Sequence, residues 1–255
     1  MTSAIVAVIE REFRRSARQR GRLLSTVARP LLWLVVVGTG LQQIVSRQYI
    51  SDYREFLLPG VLGLVVVFGA LLSALSTVHD RELGPMRMLM AAPLTPPIIV
   101  AAKVAAAGLV STAHALLLLP LVWVLGLRPP AWTLVALPAA VLLTALALAA
   151  IGMVIASRLR SIENFAAVMN FVLFPMFFLS GALYPVSLLP SWLQAVVKIN
   201  PLTYGIDLIR QILHVGAERS HAPADFAAGL DVLVLALAAI IGFVVAAVLF
   251  DREPC

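Results

Sequence analysis

The residues of this chain that could do chemistry are few and do not form a catalytic set. The four histidines are His79, His114, His214 and His221, and none lies at metal-ligand spacing from another histidine or from Cys255, the single cysteine. The motifs HExxH, GxSxG and the phosphate-binding GxxxxGKS/T are absent from the sequence. We therefore predict no catalytic residues, no metal and no cofactor bound by this chain, which should not hydrolyse ATP by itself.

Composition points to a membrane, because 61% of the 255 residues are hydrophobic and only 13% are charged. A soluble domain of this size needs far more polar surface to cover its core. The uncharged runs are 30–46, 56–79, 104–127, 129–157, 164–197 and 232–250. Each is near or above the roughly 20 residues that a helix needs to cross a bilayer. We expect an all-α membrane protein with six transmembrane helices, near Leu23–Ile44, Leu57–Val78, Ile98–Leu125, Thr133–Ala156, Ile162–Leu179 and Ala228–Phe250.

The positive charge is distributed as a topology signal and not as a nucleic-acid-binding patch. If six spans alternate across the membrane, 13 of the 19 Lys and Arg residues fall on one side. These are Arg11, Arg14, Arg15, Arg18, Arg20, Arg22, Arg29, Arg81, Arg87, Lys103, Arg158, Arg160 and Arg252. Basic loops stay in the cytoplasm, so we expect both termini there, in a bacterial inner membrane, with no nucleic-acid partner. The first 22 residues contain six arginines and no apolar core, so we expect no cleavable signal peptide.

Ionisable groups within the spans are candidates for function by default. His114 in span three is a candidate proton relay, and a neutral imidazole bonded to a neighbouring helix is the alternative. Asp231, near the start of the last span, is expected within reach of the external headgroups. Spans two, four and six carry no charge in their central portions. Ion-coupled transport is therefore not favoured, because it normally needs polar groups at mid-membrane.

Residues 1–22 are predicted to form an amphipathic helix on the cytoplasmic membrane surface. Ile5, Ile9 and Phe13 recur at four-residue spacing, and arginines mark another face. The arginines that we select as interface residues are Arg11, Arg14, Arg15 and Arg18. Each basic residue near anionic lipid contributes roughly 1 kcal/mol, which favours a position at the headgroups. A plain basic flank with no further role is the alternative.

The cytoplasmic segment 79–97 is longer and more apolar than a tight connector between two spans requires. Pro85 suits the first turn of a short helix, and Pro93 ends it. Between them lies MRMLMAA, whose unbranched methionines suit an adaptable docking surface. We expect this segment to bind another protein, and packing on the membrane surface is the alternative.

Four stretches make the chain resemble the ABC-2 family of transporter membrane subunits, in particular its drug- and nodulation-factor-type exporters. They are EFLLPGVLG, DRELGPMRMLMAAPLTPP, SIENFAAVMNFVLFPMFFLSGALYPVSLLPSWLQ and INPLTYGIDLIRQIL. The resemblance covers essentially the whole chain and implies a single transmembrane domain over residues 1–255.

That resemblance also implies partners. The first cytoplasmic loop would be a coupling helix that fits a cleft of a separate ATPase subunit, and the interface helix would touch the same subunit. Its coupling residues would be Glu82, Pro85, Met86, Met88, Leu89 and Pro93. Two membrane subunits would pair, as a homodimer, above two ATPase subunits that bind the ATP and Mg.

The run 164–197 is longer than one span needs and is broken near its end. Tyr184-Pro185 and Leu189-Pro190 each interrupt helix, because proline lacks a backbone donor and disfavours helix at the preceding residue. Non-helical backbone at membrane depth must be covered by protein or line a cavity. We expect an external re-entrant helical hairpin over 182–213 between spans five and six, with a short helix from Ser191 to Val197. Its gate residues are Gly181, Tyr184, Pro185, Pro190, Trp192 and Pro201. The alternative, two full spans between 162 and 213, would put the C-terminus outside.

We interpret the chain as the permease subunit of an ABC exporter; a non-transporting membrane scaffold is the alternative. The expected cargo is lipid-like or amphipathic, because only 7% of residues are aromatic and sugars stack on aromatic rings. The phenylalanines of span five are expected to spread around the helix and not along one stripe. They are Phe165, Phe171, Phe174, Phe177 and Phe178. Small residues could equally serve close helix packing.

Overall fold

The chain folds as a bundle of helices. The computed structural model describes residues 2–18, 28, 30–32, 34–40, 53–84, 95–124, 130–214 and 224–252. Across these ranges all regular structure is helical and no strand occurs, which confirms the predicted all-α fold. The helices are α1 (Thr2–Arg18), α2 (Pro30–Gly40), α3 (Tyr53–Glu82), α4 (Pro96–Leu116), α5 (Leu119–Val124), α6 (Thr133–Arg158), α7 (Ile162–Phe178), a 3-10 turn (Val186–Leu188), α8 (Ser191–Ile199), α9 (Pro201–His214) and α10 (Ala228–Arg252).

Within the described ranges, four helices are long and apolar enough to cross a membrane: α3, α4, α6 and α10. The longest is α3, whose 30 residues extend about 45 Å. The hydrocarbon core of a bilayer is only about 30 Å thick, so α3 is longer than one crossing requires. Helices α2 and α7 coincide with the first and fifth predicted spans but are shorter than the other four.

The predicted third span is interrupted. Its helix α4 ends at Leu116, a turn follows at Leu117 and Leu118, and α5 begins at Leu119. Pro120 explains the break, because its nitrogen has no proton to donate to a carbonyl one turn earlier and its ring clashes with that turn. Proline is tolerated in the first turn of a new helix, where it lies in α5. The expectation of one helix from Ile98 to Leu125 is therefore wrong at its C-terminal end.

Helix α6 lies at the centre of the bundle, where it contacts α3, α4, α9 and α10. Its buried face consists mainly of small residues, namely Ala140, Ala145, Ala147, Ala149, Ala150 and Gly152. Small side chains allow helix backbones to approach closely, which is how helices associate in a membrane. At the contact with α9, a Cβ added to Gly205 would lie 2.3 Å from Thr144 Cγ2, so no larger residue fits there. Helix α10 instead exposes a long stripe of valine, leucine and isoleucine on its outer face.

Candidate functional sites at the two ends of the bundle

Charged side chains from three helices meet where α1 packs against the bundle, and we call this the α1 end. Asp80 of α3 is buried and accepts hydrogen bonds from Lys103 Nζ at 2.7 Å and from Arg11 Nη2 at 2.9 Å. Arg15 Nη1 lies 3.6 Å from the other oxygen of Asp80, and Glu12 lies 3.6 Å from Lys103 Nζ. These five residues form the α1-end cluster, which joins α1, α3 and α4. Partial burial disfavours the charge of Arg11, but the carboxylates of Asp80 and Glu12 raise the pKa of its guanidinium.

The face of α1 that contacts the bundle is partly polar. Val8, Arg11, Glu12 and Arg15 follow helical spacing and lie on one side, where Val8 is buried and the three charged residues form ion pairs. Phe13 is 48% exposed on another side. The sequence pattern places the arginines on a different face of α1 from Phe13. However, Arg11 and Arg15 contact Asp80, a buried counter-charge within the protein, and do not point to the lipid headgroups. Arg14 and Arg18 are exposed.

The last turn of α3 organises the connection between α6 and α7. Arg81 Nη1 donates to the carbonyl oxygens of Ala156, Ser157 and Leu159 at 3.5, 3.1 and 3.5 Å, where it satisfies the end of α6. Glu82 Oε2 accepts a 2.8 Å hydrogen bond from the backbone N–H of Ile162, the first residue of α7. Glu82 is one of the coupling residues that the family resemblance implies, and in the structure both Glu82 and Arg81 hold this chain's own connection in place.

Of the six predicted coupling residues, the structure describes only Glu82. Pro85, Met86, Met88, Leu89 and Pro93 lie outside the described residues. The chain leaves the described part after Gly84, whose φ of 94° is a conformation that suits glycine, and returns at Thr95 as the residue before α4. Gly84 and Thr95 both lie at the α1 end. Gly84 is four residues after Asp80, and Thr95 is eight residues before Lys103.

A compact turn closes the opposite end of α7, and we call this the α8 end. Gly181 has a φ of 71°, a left-handed conformation that favours glycine. The next residue, Ala182, is fully buried against Gly60 of α3, where an added Cβ would lie 2.5 Å from the Ala182 carbonyl oxygen. Tyr53 of α3 donates a 2.7 Å hydrogen bond to the Leu183 carbonyl. The turn is thus fixed to the first two turns of α3.

Asn200, between α8 and α9, holds this turn from the other side. Its Nδ2 donates to the carbonyls of Met176 and Leu179 at 2.6 and 2.9 Å, and its Oδ1 accepts from the Leu202 N–H at 3.1 Å. One side chain therefore provides hydrogen-bond partners for backbone carbonyls at the end of α7 and for a backbone N–H at the start of α9. The sequence analysis did not select Asn200, although an asparagine before proline is a common helix-start signal.

The predicted gate residues all lie at the α8 end. Tyr184 donates its hydroxyl to the Phe178 carbonyl at the end of α7. Pro185 precedes the 3-10 turn, Pro190 precedes α8, and Pro201 is the first residue of α9. Trp192, on α8, is 67% exposed. The structure brings Gly181 and Tyr184 together and places Trp192 on the surface; it does not test a gating role for any of them.

A second charged cluster connects α9, α10 and the segment between them. Asp207 accepts hydrogen bonds from the backbone N–H groups of Asp225 and Phe226, each at 3.0 Å. Gln211 Nε2 donates to Asp207 at 3.0 Å and to Asp231 of α10 at 2.7 Å. We call Asp207, Arg210, Gln211, Asp225 and Asp231 the α9 cluster.

Arg210 links the α9 cluster to the turn at the α8 end. Its Nη2 donates to the Gly181 carbonyl at 2.8 Å, and its guanidinium lies 4.6 Å from the centre of the Phe56 ring. Asp207 and Asp225 lie 3.6 and 3.5 Å from Arg210 Nη1. Burial raises the pKa of Asp225 above its ordinary value; Arg210 opposes this effect and Asp207 adds to it.

The α9 cluster corrects one expectation and was missed by the sequence analysis. Asp231 is fully buried and bonded to Gln211, so it does not reach the headgroups. A signal was available, because Asp207 and Arg210 are three residues apart inside an otherwise apolar stretch and would share one helix face. His114, the candidate proton relay, is buried in α4.

The aromatic residues of α7 divide into two faces. Phe165 and Phe177 are buried, whereas Phe171, Phe174 and Phe178 are 81%, 46% and 40% exposed. Positions 171, 174 and 178 share one side of a helix. The rings therefore lie on two sides of α7 and not along one stripe, as expected, and neighbouring helices cover only two of the five. We call Phe171, Phe174 and Phe178 the α7 aromatic face.

The apolar helices and the charge clusters confined to their ends define a multi-pass membrane protein. Residues 3–214 match the family described as "ABC-2 type transporter". The chain belongs to this family, which confirms the resemblance stated from the sequence.

Similar proteins agree with this family assignment. The chain is 28% identical to nodulation protein J of Rhizobium meliloti (strain 1021), over 80% of this chain and 82% of that protein. It is 30% identical to nodulation protein J of Rhizobium leguminosarum bv. trifolii, over 76% of this chain and 79% of that protein. It is 31% identical to YbhR of Escherichia coli (strain K12), a multidrug ABC transporter permease by name, over 63% of this chain and 44% of that protein.

Proposed function

We propose that this chain is the membrane-spanning permease subunit of an ABC exporter and uses ATP hydrolysed by a separate ATPase subunit. Two copies of the chain pair, and each binds one ATPase subunit through the segment 79–97. Both termini are cytoplasmic, in a bacterial inner membrane. The four long helices, together with α2 and α7, make six spans.

The α1-end cluster is the observation that best supports ATPase coupling. Asp80 lies two residues before Glu82 on α3. Lys103 lies on α4, which begins at Pro96, at the end of the segment 79–97. Because the Asp80–Lys103 pair joins these helices and Arg11 adds α1, a displacement of the segment acts on three helices together. Such a connection is what an ATPase needs in order to move spans in the bilayer.

The test of coupling is association with the ATPase. Met88→Asp should abolish co-purification with the proposed ATPase subunit, because it would place a charge in the proposed apolar contact. Met88→Leu, which keeps an apolar side chain of similar size, should retain it. Membrane insertion should be unchanged in both variants. Equal co-purification of the two would contradict the proposal and favour a scaffold whose segment 79–97 binds no ATPase.

We further propose that residues 182–213 form a re-entrant element that closes the external mouth of the pathway. The turn at Gly181 and the start of α9 pack near the first turns of α3, which supports this position. In a Cys255→Ser background, Ser187→Cys introduces an exposed thiol within this element. An impermeant reagent should label this thiol in intact cells. Labelling confined to inverted vesicles would show that the element is cytoplasmic and contradict the proposed topology.

The proposed cargo is lipid-like or amphipathic. The outer face of α10 and the α7 aromatic face are apolar and exposed in the single chain, which suits a molecule taken from the bilayer. The α7 aromatic face also favours a second candidate, a cargo with a sugar chain that stacks on aromatic rings. The reconstituted complex distinguishes them: lipids or hydrophobic drugs should stimulate ATP hydrolysis, and stimulation by oligosaccharide alone would support the second.

A further inference from the structure

A cavity of about 410 Å³ opens beside the α1-end cluster, between α1, α3 and α4. Its size falls in the range of sites that hold small ligands. No transport step in the proposed function uses it. Its walls differ along their length, and this difference indicates the kind of ligand that fits.

One end of the cavity is charged and the other is apolar. Arg15, His79 and Lys103 line the charged end, whereas Leu72 of α3 and Val110 of α4 line the apolar end. Seven residues separate Leu72 from His79, and seven separate Lys103 from Val110. At 1.5 Å per residue, each wall runs about 10 Å from the interface into the apolar part of its helix. A ligand that fills the cavity must therefore be polar at one end and apolar at the other.

The charges around the polar end favour an anion. The α1-end cluster contains three cations, Arg11, Arg15 and Lys103, and two carboxylates, Glu12 and Asp80, so one positive charge is left over. Asp80 does not line the cavity, and the one carboxylate that does, Glu12, lies 3.1 Å from Arg11 and 3.6 Å from Lys103. Its charge is thereby offset.

Two nitrogen-bearing side chains at the polar end are adjacent. Arg15 Nη2 lies 3.3 Å from His79 Nδ1, and both side chains line the cavity. The Arg15 side chain keeps about a third of its surface exposed, so its guanidinium is accessible from the cavity. A guanidinium matches phosphate oxygens in geometry and forms strong charge-assisted hydrogen bonds with them.

We propose that this cavity binds one anionic membrane lipid. The phosphate lies at Arg15 and His79, and an acyl chain follows the apolar wall toward Leu72 and Val110. Because Arg15 is on α1 and His79 is on α3, the lipid bridges the interface helix and the bundle. Lipid binding can be measured on this chain alone, without ATPase or ATP-driven transport, so its test is separate from the tests of coupling and cargo.

The experiment is lipid retention by the full chain in native mass spectrometry. Delipidated protein is titrated with phosphatidylglycerol, with phosphatidylcholine or with inorganic phosphate. Phosphatidylglycerol should be retained as a single adduct, at least about tenfold more tightly than phosphatidylcholine, because the choline cation of the latter offsets its phosphate charge and would lie beside the cations of the α1-end cluster. Arg15→Gln and His79→Gln should each weaken the adduct.

Two further variants separate the site from general effects. Arg14→Gln removes a charge from the same helix outside the cavity, where Arg14 is 70% exposed and paired only with Glu10 in the described structure, and it should bind as the wild type does. Ser76→Leu fills the cavity wall without changing charge and should reduce retention while the melting temperature is maintained.

Three results would overturn the proposal. Equal retention of the two phospholipids would remove the preference for an anionic headgroup. Equal loss in Arg15→Gln and Arg14→Gln would show non-specific charge attraction. Binding of inorganic phosphate as tight as that of phosphatidylglycerol would show that the apolar wall contributes nothing.

Discussion

The buried pair of Asp80 and Lys103 gives the sharpest test of how the bundle is held together. Lys103→Met keeps an unbranched apolar stem in place of the lysine stem and removes the ammonium that donates to Asp80 at 2.7 Å. The carboxylate then remains in a site that is only 3% exposed. Arg11 at 2.9 Å and Arg15 at 3.6 Å still offset its charge in part.

The free energy of unfolding should fall more when one partner of a buried ion pair is removed than when both partners are replaced. Removal of one partner typically costs about 3–5 kcal/mol. Because two arginines remain near Asp80, we expect the low end, about 3 kcal/mol. At about 2–4 °C per kcal/mol for a chain of this size, the melting temperature should fall by about 6–12 °C. In the double variant Asp80→Asn, Lys103→Met no buried charge is left unpaired, and the loss should be no more than about 1 kcal/mol.

Thermal unfolding of the purified chain in detergent micelles measures both quantities. The matched control is Arg14→Gln, because its i,i+4 pair with Glu10 is exposed and contributes about 0.5 kcal/mol or less. The reasoning fails if Lys103→Met melts within 2 °C of the wild type, or if the double variant is less stable than Lys103→Met alone. Either outcome would mean that the pair is solvated and does not join α3 to α4.

Three further predictions concern the α8 end, and thermal unfolding checks each. Gly60→Val should destabilise by about 1–3 kcal/mol, because its Cβ would lie 2.5 Å from the Ala182 carbonyl, whereas Gly229→Ala, with open space around it, should not. Asn200→Ala should cost about 1–3 kcal/mol through buried groups left without partners; an Asn200→Asp variant as stable as the wild type would show that its two donated bonds are dispensable. Because the pKa of Asp225 is raised, the folded state holds the proton of this carboxyl more tightly than the unfolded state does. The contribution of the proton to stability is therefore greatest below the ordinary pKa of 3.8 and is lost as the pH rises. The melting temperature of Asp225→Asn minus that of the wild type should therefore increase from pH 4 to pH 7, and a constant difference would contradict the assignment.

Those parts of the fold that depend on local chemistry could be predicted from the sequence. The limits of α6 and α10 follow from their long uncharged runs and lie within two residues of the prediction. Helix α8 begins at Ser191, directly after Pro190. Proline disfavours helical backbone at the residue before it, here Leu189, so a helix can begin only after that point. Helix α8 extends two residues beyond the predicted Val197.

The charged clusters could not be predicted, because they depend on how the helices rotate against one another. Asp80 and Lys103 are 23 residues apart, and their contact requires α3 and α4 to pack against each other in one particular register. Arg11 appears from sequence to be one of several equivalent arginines until the position of α1 on α4 distinguishes it. The division of the α7 phenylalanines has the same cause, since burial is decided by neighbours and not by spacing.

The Asp80–Lys103 pair also has a consequence for how the chain enters the membrane. An isolated aspartate or lysine in a transmembrane helix makes insertion less favourable by up to about 2.5–3.5 kcal/mol at mid-membrane, and by less near the helix end. Helices α3 and α4 are consecutive in the chain, so both charges emerge from the ribosome close together in time. Insertion of α3 and α4 as a hairpin neutralises the two charges against each other before α6 is synthesised. The later helices are then added to a pair whose charges are already satisfied.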